Sequence, residues 1–355
     1  MVRGRCCPNL RRWCLTCALM RIEELLYDLP ESLIAQVPME PRHDSRLLDA
    51  RQSAVDHEFW ELPDLLFPGD LVVVNNTRVR HARLVGRRVD TGGAIELLVL
   101  EPLGDGCWEA LVKPARRIRA GLEVQVSDEI VTIESDPVDG KVMIRFAGDA
   151  DALIADQGAM PLPPYIHESL SDPERYQTMF ANEIGSAAAP TAGLHFTPYV
   201  AERLMASAIA IASVDLHVGL DTFRPISVET VDDHQMHSEW YSVPEATVQA
   251  ISDAKKTGGR IVAIGTTVVR SLESAAADGD LRPVEGRTSL FITPGFEFRV
   301  VDDLVTNFHV PGSTLLAMIS AFMGPRWRDV YAHAIGQRYR MLSFGDAMLA
   351  SRRSA

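Results

Sequence analysis

GDLVVVNNTRV, from Gly69 to Val79, reads as a turn that opens an apolar strand and ends in the polar residues Asn75, Asn76, Thr77 and Arg78. Strands that deliver polar side chains at their C-terminal ends are those from which α/β proteins build ligand sites. Asn and Thr also stabilise turns by bonding to their own backbone, so the polar end has a structural reading as well. Three further stretches share the pattern: VDLHVGLDTFRPI from Val214, RIVAIGTTVVRSLE from Arg260 and VTNFHVPGSTLL from Val305. Helical patterns lie between them. One runs from Pro198 to about residue 208 with Val200, Leu204 and Ala208 on one face, and another, EATVQAISDAKKTGG, stops on Gly258. Alternating strands and helices predict an α/β main domain.

Between His81 and Asp156 the period changes. Short β-rich runs, among them ARLVGRRV, GAIELLVLEPL, CWEALVKPA and KVMIRFAG, alternate with Gly and Asp turns and contain no helical repeat. This predicts a small antiparallel β-barrel over 81–156, inserted into a main domain formed by 20–80 and 157–355. The rigid, proline-rich MPLPPYI marks the return to the main domain, and RYQTMF is expected to begin a helix or strand.

The 355 residues carry a formal net charge of −13, with 46% hydrophobic and 23% charged residues, the balance of a soluble globular protein. No apolar run approaches the roughly 18 residues of a membrane span. The acidity argues against broad nucleic-acid binding, yet basic residues cluster at Arg78, Arg80, Arg83, Arg87 and Arg88, and again at Lys113, Arg116, Arg117 and Arg119. Such a face either grips phosphates or is simply solvated. Cys6, Cys7, Cys14 and Cys17 fall in the first 19 residues, where no second pair completes a zinc site. That segment is expected to be a dispensable, disordered extension, with Met20 as the true or ancestral start. Only Cys107 remains in the body, which suits a reducing cytoplasm.

The chemistry concentrates in the loops. AAPTAGLHF, from Ala188 to Phe196, places Thr191, Gly193 and His195 before a helix start at Thr197 and Pro198. Its backbone N–H groups suit an anionic or carbonyl-bearing ligand, and the other reading is a turn in which His195 caps a carbonyl. Asp215 and His217, two apart on a strand, face the same way, either as an oriented general base or as a satisfied polar pair. Gly265, Thr266 and Thr267 open a helix, where hydroxyls and free N–H groups hold carboxylates or phosphates. No Rossmann fingerprint or P-loop occurs, so a nucleotide-bearing ligand would not be held in the usual manner.

These stretches, with YDLPESLIAQVP, PRHDSRLL, MPLPPYI, RYQTMF, DHQMHSE, PGF and YRMLSFGDAML in the same order, resemble the S-adenosylmethionine:tRNA ribosyltransferase-isomerase family of queuosine synthesis. The resemblance runs from Met20 to about Leu349. It implies transfer and isomerisation of the ribosyl group of S-adenosylmethionine onto 7-aminomethyl-7-deazaguanine at the tRNA wobble position. Epoxyqueuosine would form in the tRNA, with adenine and methionine released. S-adenosylmethionine would be a co-substrate with no permanently bound cofactor and no metal, because the sulfonium supplies the activation. The protein is expected to act as a cytoplasmic monomer.

Such chemistry needs a base for the proton beside the sulfonium, an acid for adenine departure, and donors for the sugar and methionine carboxylate. The resemblance implies His195, His217 and His309 as acid/base groups, with Asp215 orienting His217. Thr191, Gly193, Gly265, Thr266, Thr267 and Asn307 would bind the co-substrate. Arg270 would meet the methionine carboxylate or a tRNA phosphate, or else Glu273 in a structural pair. Arg78, Lys113, Arg116, Arg117 and Arg119 would contact tRNA. Asp221 stands where relatives carry glycine, and Ile184 and Ala187 also depart from the common residues. Two other classes stay open: a small-molecule S-adenosylmethionine enzyme, and a catalytically silent RNA-binding homologue.

Overall fold

The computed structural model describes residues 20–138, 140–219, 226 and 228–353. The expectations for residues 1–19 and for Asp221 lie outside these. The strands in chain order are β1 (Arg46–Asp49), β2 (Val55–Glu58), β3 (Leu71–Asn75), β4 (Thr77–Val79), β5 (Arg83–Arg88), β6 (Ala94–Gly104), β7 (Cys107–Lys113), β8 (Leu122–Val126) and β9 (Glu129–Ile133). They continue with β10 (Lys141–Phe146), β11 (Glu183–Ser186), β12 (Ala210–Leu216), β13 (Glu239–Val243), β14 (Ile261–Ile264), β15 (Val284–Thr288), β16 (Asp303–Asn307) and β17 (Ala347–Ser351). The helices are α1 (Leu62–Leu65), α2 (Ala150–Gln157), α3 (Pro198–Ala206), α4 (Glu245–Lys256), α5 (Thr266–Ala275), α6 (Thr314–Met323) and α7 (Trp327–Gly336).

Nine strands form one mixed sheet in the order β15-β13-β12-β3-β14-β16-β17-β1-β2. Its centre, β12-β3-β14-β16, is parallel, with Val214 opposite Asn75, Val262 opposite Val72, and Ile264 opposite Val305. The valines of β3 show why a continuous apolar run was needed: Val73 packs in the core beneath α4 to α7, whereas Val72 and Val74 point the other way, among Phe59, Leu62, Val200 and Leu204. Alternate side chains thus feed two cores, each buried valine contributing about 1.5–3 kcal/mol.

Strands β5 to β10 close into an antiparallel barrel, ordered β10-β7-β6-β5-β8-β9. Its separate core is filled by inward alternation, including Leu84, Leu97, Ala110, Val124, Ile133 and Ile144, and Leu153 and Ile154 of α2 join it. Asp149 caps α2 by accepting from the N–H groups of Asp151 and Ala152. The chain leaves the main sheet through β4 and returns through β11, and these two strands pair in parallel at the neck. Gln177 fixes that neck, accepting from the Val79 N–H and donating to its carbonyl, both at 2.9 Å.

Local differences from the sequence reading have simple causes. RYQTMF is reached through a 3₁₀ turn, Pro173–Tyr176, which drives Tyr176 fully into the interior. The segment from Ile22 to Leu33 likewise contains two 3₁₀ turns. Helix α3 ends at Ala206, and Ala208, expected on its apolar face, takes a left-handed φ of 56° that turns the chain into β12.

Candidate active site

The C-terminal ends of the four parallel strands meet at one edge of the sheet. A cleft of about 570 Å³ opens there, walled by Thr191, Gly265, Thr266, Thr267, Asn307 and His309 among others. Strand β14 enters it through Gly265, whose φ of 93° turns the chain directly into α5. Non-glycine residues strongly disfavour that conformation. The N–H groups of Thr266, Thr267 and Val268 have no acceptor among the described residues. The Thr267 hydroxyl is buried without a hydrogen-bond partner. A second helix start, that of α6, lies alongside, where Ser313 caps by accepting from the Leu316 N–H at 3.2 Å. This wall therefore presents donors and hydroxyls, and among the described residues that line the cleft none is Asp or Glu.

Behind the wall runs a buried polar chain. The Thr191 hydroxyl donates to Asn307 Oδ1 at 2.9 Å, and Asn307 Nδ2 lies 3.2 Å from His195 Nε2 and 3.4 Å from the Asp346 carbonyl. An amide nitrogen can only donate, so His195 Nε2 accepts, and Nδ1–H donates to Ser45 Oγ at 2.7 Å. The ring also stacks on Phe59 with centroids 4.8 Å apart. Burial, reinforced by the charges of Arg340 and Arg42, pushes the His195 pKa down to about 3. His195 is a neutral strut holding Asn307, and it does not line the cleft. Gly193 also sits beneath the wall, where a Cβ would stand 3.0 Å from Thr178 Cγ2.

His309 does line the cleft. Its Nε2 lies 3.1 Å from Thr306 Oγ1, its N–H donates to the Tyr331 hydroxyl, and its carbonyl accepts from Tyr27 at 2.6 Å. Burial alone pushes its pKa down to about 3, so the ring is neutral.

His217 stands apart, in a second cleft of about 810 Å³ between the sheet and the barrel. Only Val218 lines both clefts. The expected bond from Asp215 to His217 is not formed among the described residues. Instead Asn76, with its carboxamide nitrogen toward β12, donates to Asp215 Oδ1 and to the Val214 carbonyl, the latter at 3.0 Å. Burial, with Glu183 nearby, raises the Asp215 pKa to about 6. Asn75 follows its turn-stabilising reading: Oδ1 accepts from Thr77 and Leu216, and Nδ2 donates to the Leu216 carbonyl.

Residues 22–350 match the model of the queuosine biosynthesis protein family. The chain belongs to this family. It is 50% identical over 339 residues to the S-adenosylmethionine:tRNA ribosyltransferase-isomerase of Symbiobacterium thermophilum, covering 93% of this chain and 99% of that one. It is 48% identical to the protein of the same name from Synechococcus elongatus, over 91% and 94% of the two chains. Among solved structures it resembles the S-adenosylmethionine tRNA ribosyltransferase of Thermotoga maritima, with a TM-score of 0.54, 37% identity, and coverage of 92% and 99%.

In this queuosine biosynthesis family member the remaining charged residues sort by partner. Arg270 is buried in an ion pair with Glu239 and donates to the Leu290 carbonyl at 3.2 Å. The alternative partner, Glu273, instead accepts from the N–H groups of Arg299, Val300 and Val301 at 2.9–3.1 Å. Arg78 meets Glu174 at 2.6 Å, and Arg80, Arg83 and Arg88 meet Asp151, Glu96 and Asp90. Lys113, at the end of β7, and Arg116, Arg117 and Arg119, on the loop that follows, are exposed, and among the described residues none pairs with a carboxylate. Ser45 and Glu239 were missed by the sequence reading, although both lie in quoted motifs, PRHDSRLL and DHQMHSE. Among the described residues no group of three or more His, Cys, Asp or Glu side chains is arranged to hold a metal ion, and no helix is long and apolar enough to cross a membrane.

Proposed function

We propose that this chain transfers and isomerises the ribosyl group of S-adenosylmethionine onto 7-aminomethyl-7-deazaguanine at the tRNA wobble position, releasing adenine and methionine and leaving epoxyqueuosine in the tRNA. The observation that carries the reading is the donor-lined cleft at the ends of the parallel strands, in a chain of this family. A carboxylate meets free N–H groups at the start of α5, and sugar hydroxyls meet Thr191, Thr266 and Asn307. His309, the neutral imidazole that lines the cleft, is the acid/base group, and His195 positions Asn307 from behind. Arg270 serves the architecture through Glu239. Lys113, Arg116, Arg117 and Arg119 grip tRNA phosphates, while Arg78 is already matched by Glu174. The enzyme works as a cytoplasmic monomer with no resident cofactor.

The test is incubation of the purified chain with S-adenosylmethionine and tRNA carrying the aminomethyl base, followed by mass analysis of the digested nucleosides. A nucleoside heavier by the rearranged ribosyl unit, with equimolar adenine and methionine, is expected. A methylated nucleoside, or no product despite binding of both substrates, would overturn the proposal.

A further inference from the structure

The second cleft has a chemistry unlike that of the first. Its barrel side carries Glu101 and Glu109, and its sheet side carries His217 and Trp240, whose rings lie 4.5 Å apart. Arg287 donates to Glu101 Oε2 at 2.9 Å, and Lys141 donates to Glu109 Oε2 at 2.9 Å. Among the described residues the second oxygen of each carboxylate accepts no hydrogen bond. Thr314 adds a buried hydroxyl without a partner to the same wall. The ring of His217 is pressed on Gly185, where a Cβ would come within 2.1 Å of Cε1. The imidazole is therefore fixed in place beside Trp240.

A cleft with open carboxylate oxygens and two adjacent π faces suits a planar heterocycle rich in N–H donors. The first cleft, rich in donors and without carboxylates among the described residues, has the opposite preference. A guanine-type base has both required features: flat faces, and a Watson–Crick edge bearing a ring N–H and an amino group. A substituent at its 7-position projects from another edge. Enzymes that act on an extruded base read its Watson–Crick edge by hydrogen bonds and its faces by stacking.

We infer that the second cleft receives the wobble base of the tRNA, stacked on Trp240 and His217, with its Watson–Crick donors on Glu101. The 7-aminomethyl group then points past Val218 into the first cleft, where S-adenosylmethionine is bound. This assignment rests on the function proposed above. It explains why the barrel is set against the C-terminal edge of the sheet: the barrel completes the base site.

The test uses the full chain and two anticodon stem-loops, one with guanine and one with hypoxanthine, which lacks the amino group, at the wobble position. Binding of each, and of S-adenosylmethionine, is followed by calorimetry. The wild type is expected to prefer the guanine loop about tenfold, and Glu101→Ala to bring that ratio near one. Trp240→Ala is expected to weaken both loops about tenfold or more, because stacking contributes on the order of 1–3 kcal/mol per base. Both variants should hold S-adenosylmethionine within twofold of wild type. Glu101 is a half-exposed surface side chain, so its variant keeps the test valid if Trp240→Ala fails to fold. No preference in the wild type, a ratio unchanged in Glu101→Ala, or weakened S-adenosylmethionine binding would overturn the assignment. Because these are binding measurements, a wild type that reads the base yet forms no product would refute the reaction and leave the base site standing.

Discussion

Replacing His195 by Gln tests whether that histidine is a neutral strut or a proton carrier. At pH 7 the variant loses a ring hydrogen-bonded at both nitrogens, to Ser45 and Asn307, and stacked on Phe59. A buried polar group left unsatisfied costs about 1–3 kcal/mol, so with incomplete compensation by Gln the loss is about 3 kcal/mol. The pH dependence is the sharper part. The folded pKa of His195 is depressed to about 3, below its value of about 6.5 in the unfolded chain. Its stabilisation is therefore complete above pH 6.5 and falls as the pH drops through the window from 6.5 to 3. At 1.36 kcal/mol per unit, wild type loses about 3 kcal/mol from this residue between pH 6.5 and 4.5, and the variant does not. Urea unfolding of both proteins across this range isolates the effect, because shared carboxylates cancel in the difference. The gap between them should close toward zero by pH 4.5. A gap that stays constant would refute the neutral, buried assignment.

Gly265→Ala should destabilise by about 1–2 kcal/mol through its left-handed φ, and should raise the KM for S-adenosylmethionine more than it lowers kcat, as read from denaturant melts and steady-state kinetics. Asp215→Asn should raise the Tm at pH 8 and leave it unchanged at pH 4. The raised pKa of about 6 means that wild type loses stability as the pH climbs from about 4 through 6 and the buried carboxylate ionises. Removing the charges of Arg116 and Arg119 together should weaken tRNA binding equally for all tRNA sequences and flatten the salt dependence of log Kd by about two units, measured by filter binding between 50 and 200 mM salt. Glu273→Ala, which strands the N–H groups of Arg299, Val300 and Val301, should cost about 3 kcal/mol or more with little change in KM for either substrate in the folded fraction.

The elements that sequence made legible are those in which local pattern and tertiary fate coincide. The four apolar residues of β3 are buried on both sides, as a continuous run demands, and the alternation in β5 to β10 reports one face turned inward. Polar residues after β14 and β16 reach the cleft because a parallel strand has only one end at which to deliver them. What could not be read was which neighbour each side chain would choose. Asp215 and His217 share a strand spacing, yet Asp215 found Asn76 across the ladder and His217 packs against Trp240 of β13 and Gly185 of β11. Arg270 chose Glu239, 31 positions earlier, over Glu273 one turn away on its own helix. Those choices depend on strand order, and strand order is a property of the whole sheet.

That order has a consequence for how the chain comes to be made. Among the described residues, strands β1 and β2 join the sheet only through β17, and the bond between Arg46 and Asp346 spans 300 positions. Closing a loop of that length costs about 5 kcal/mol in chain entropy, and little of the cost is recovered until the final strand slots between two waiting edges. A ribosome-bound chain will therefore carry the β1–β2 hairpin and the rim of β16 unpaired until β17 has been made. Deletion of residues 346–355 would orphan the β1–β2 hairpin, some 300 positions earlier in the chain. Ser45, which braces His195 from that hairpin, would go with it, so a clipped tail would reach the active site from its far side.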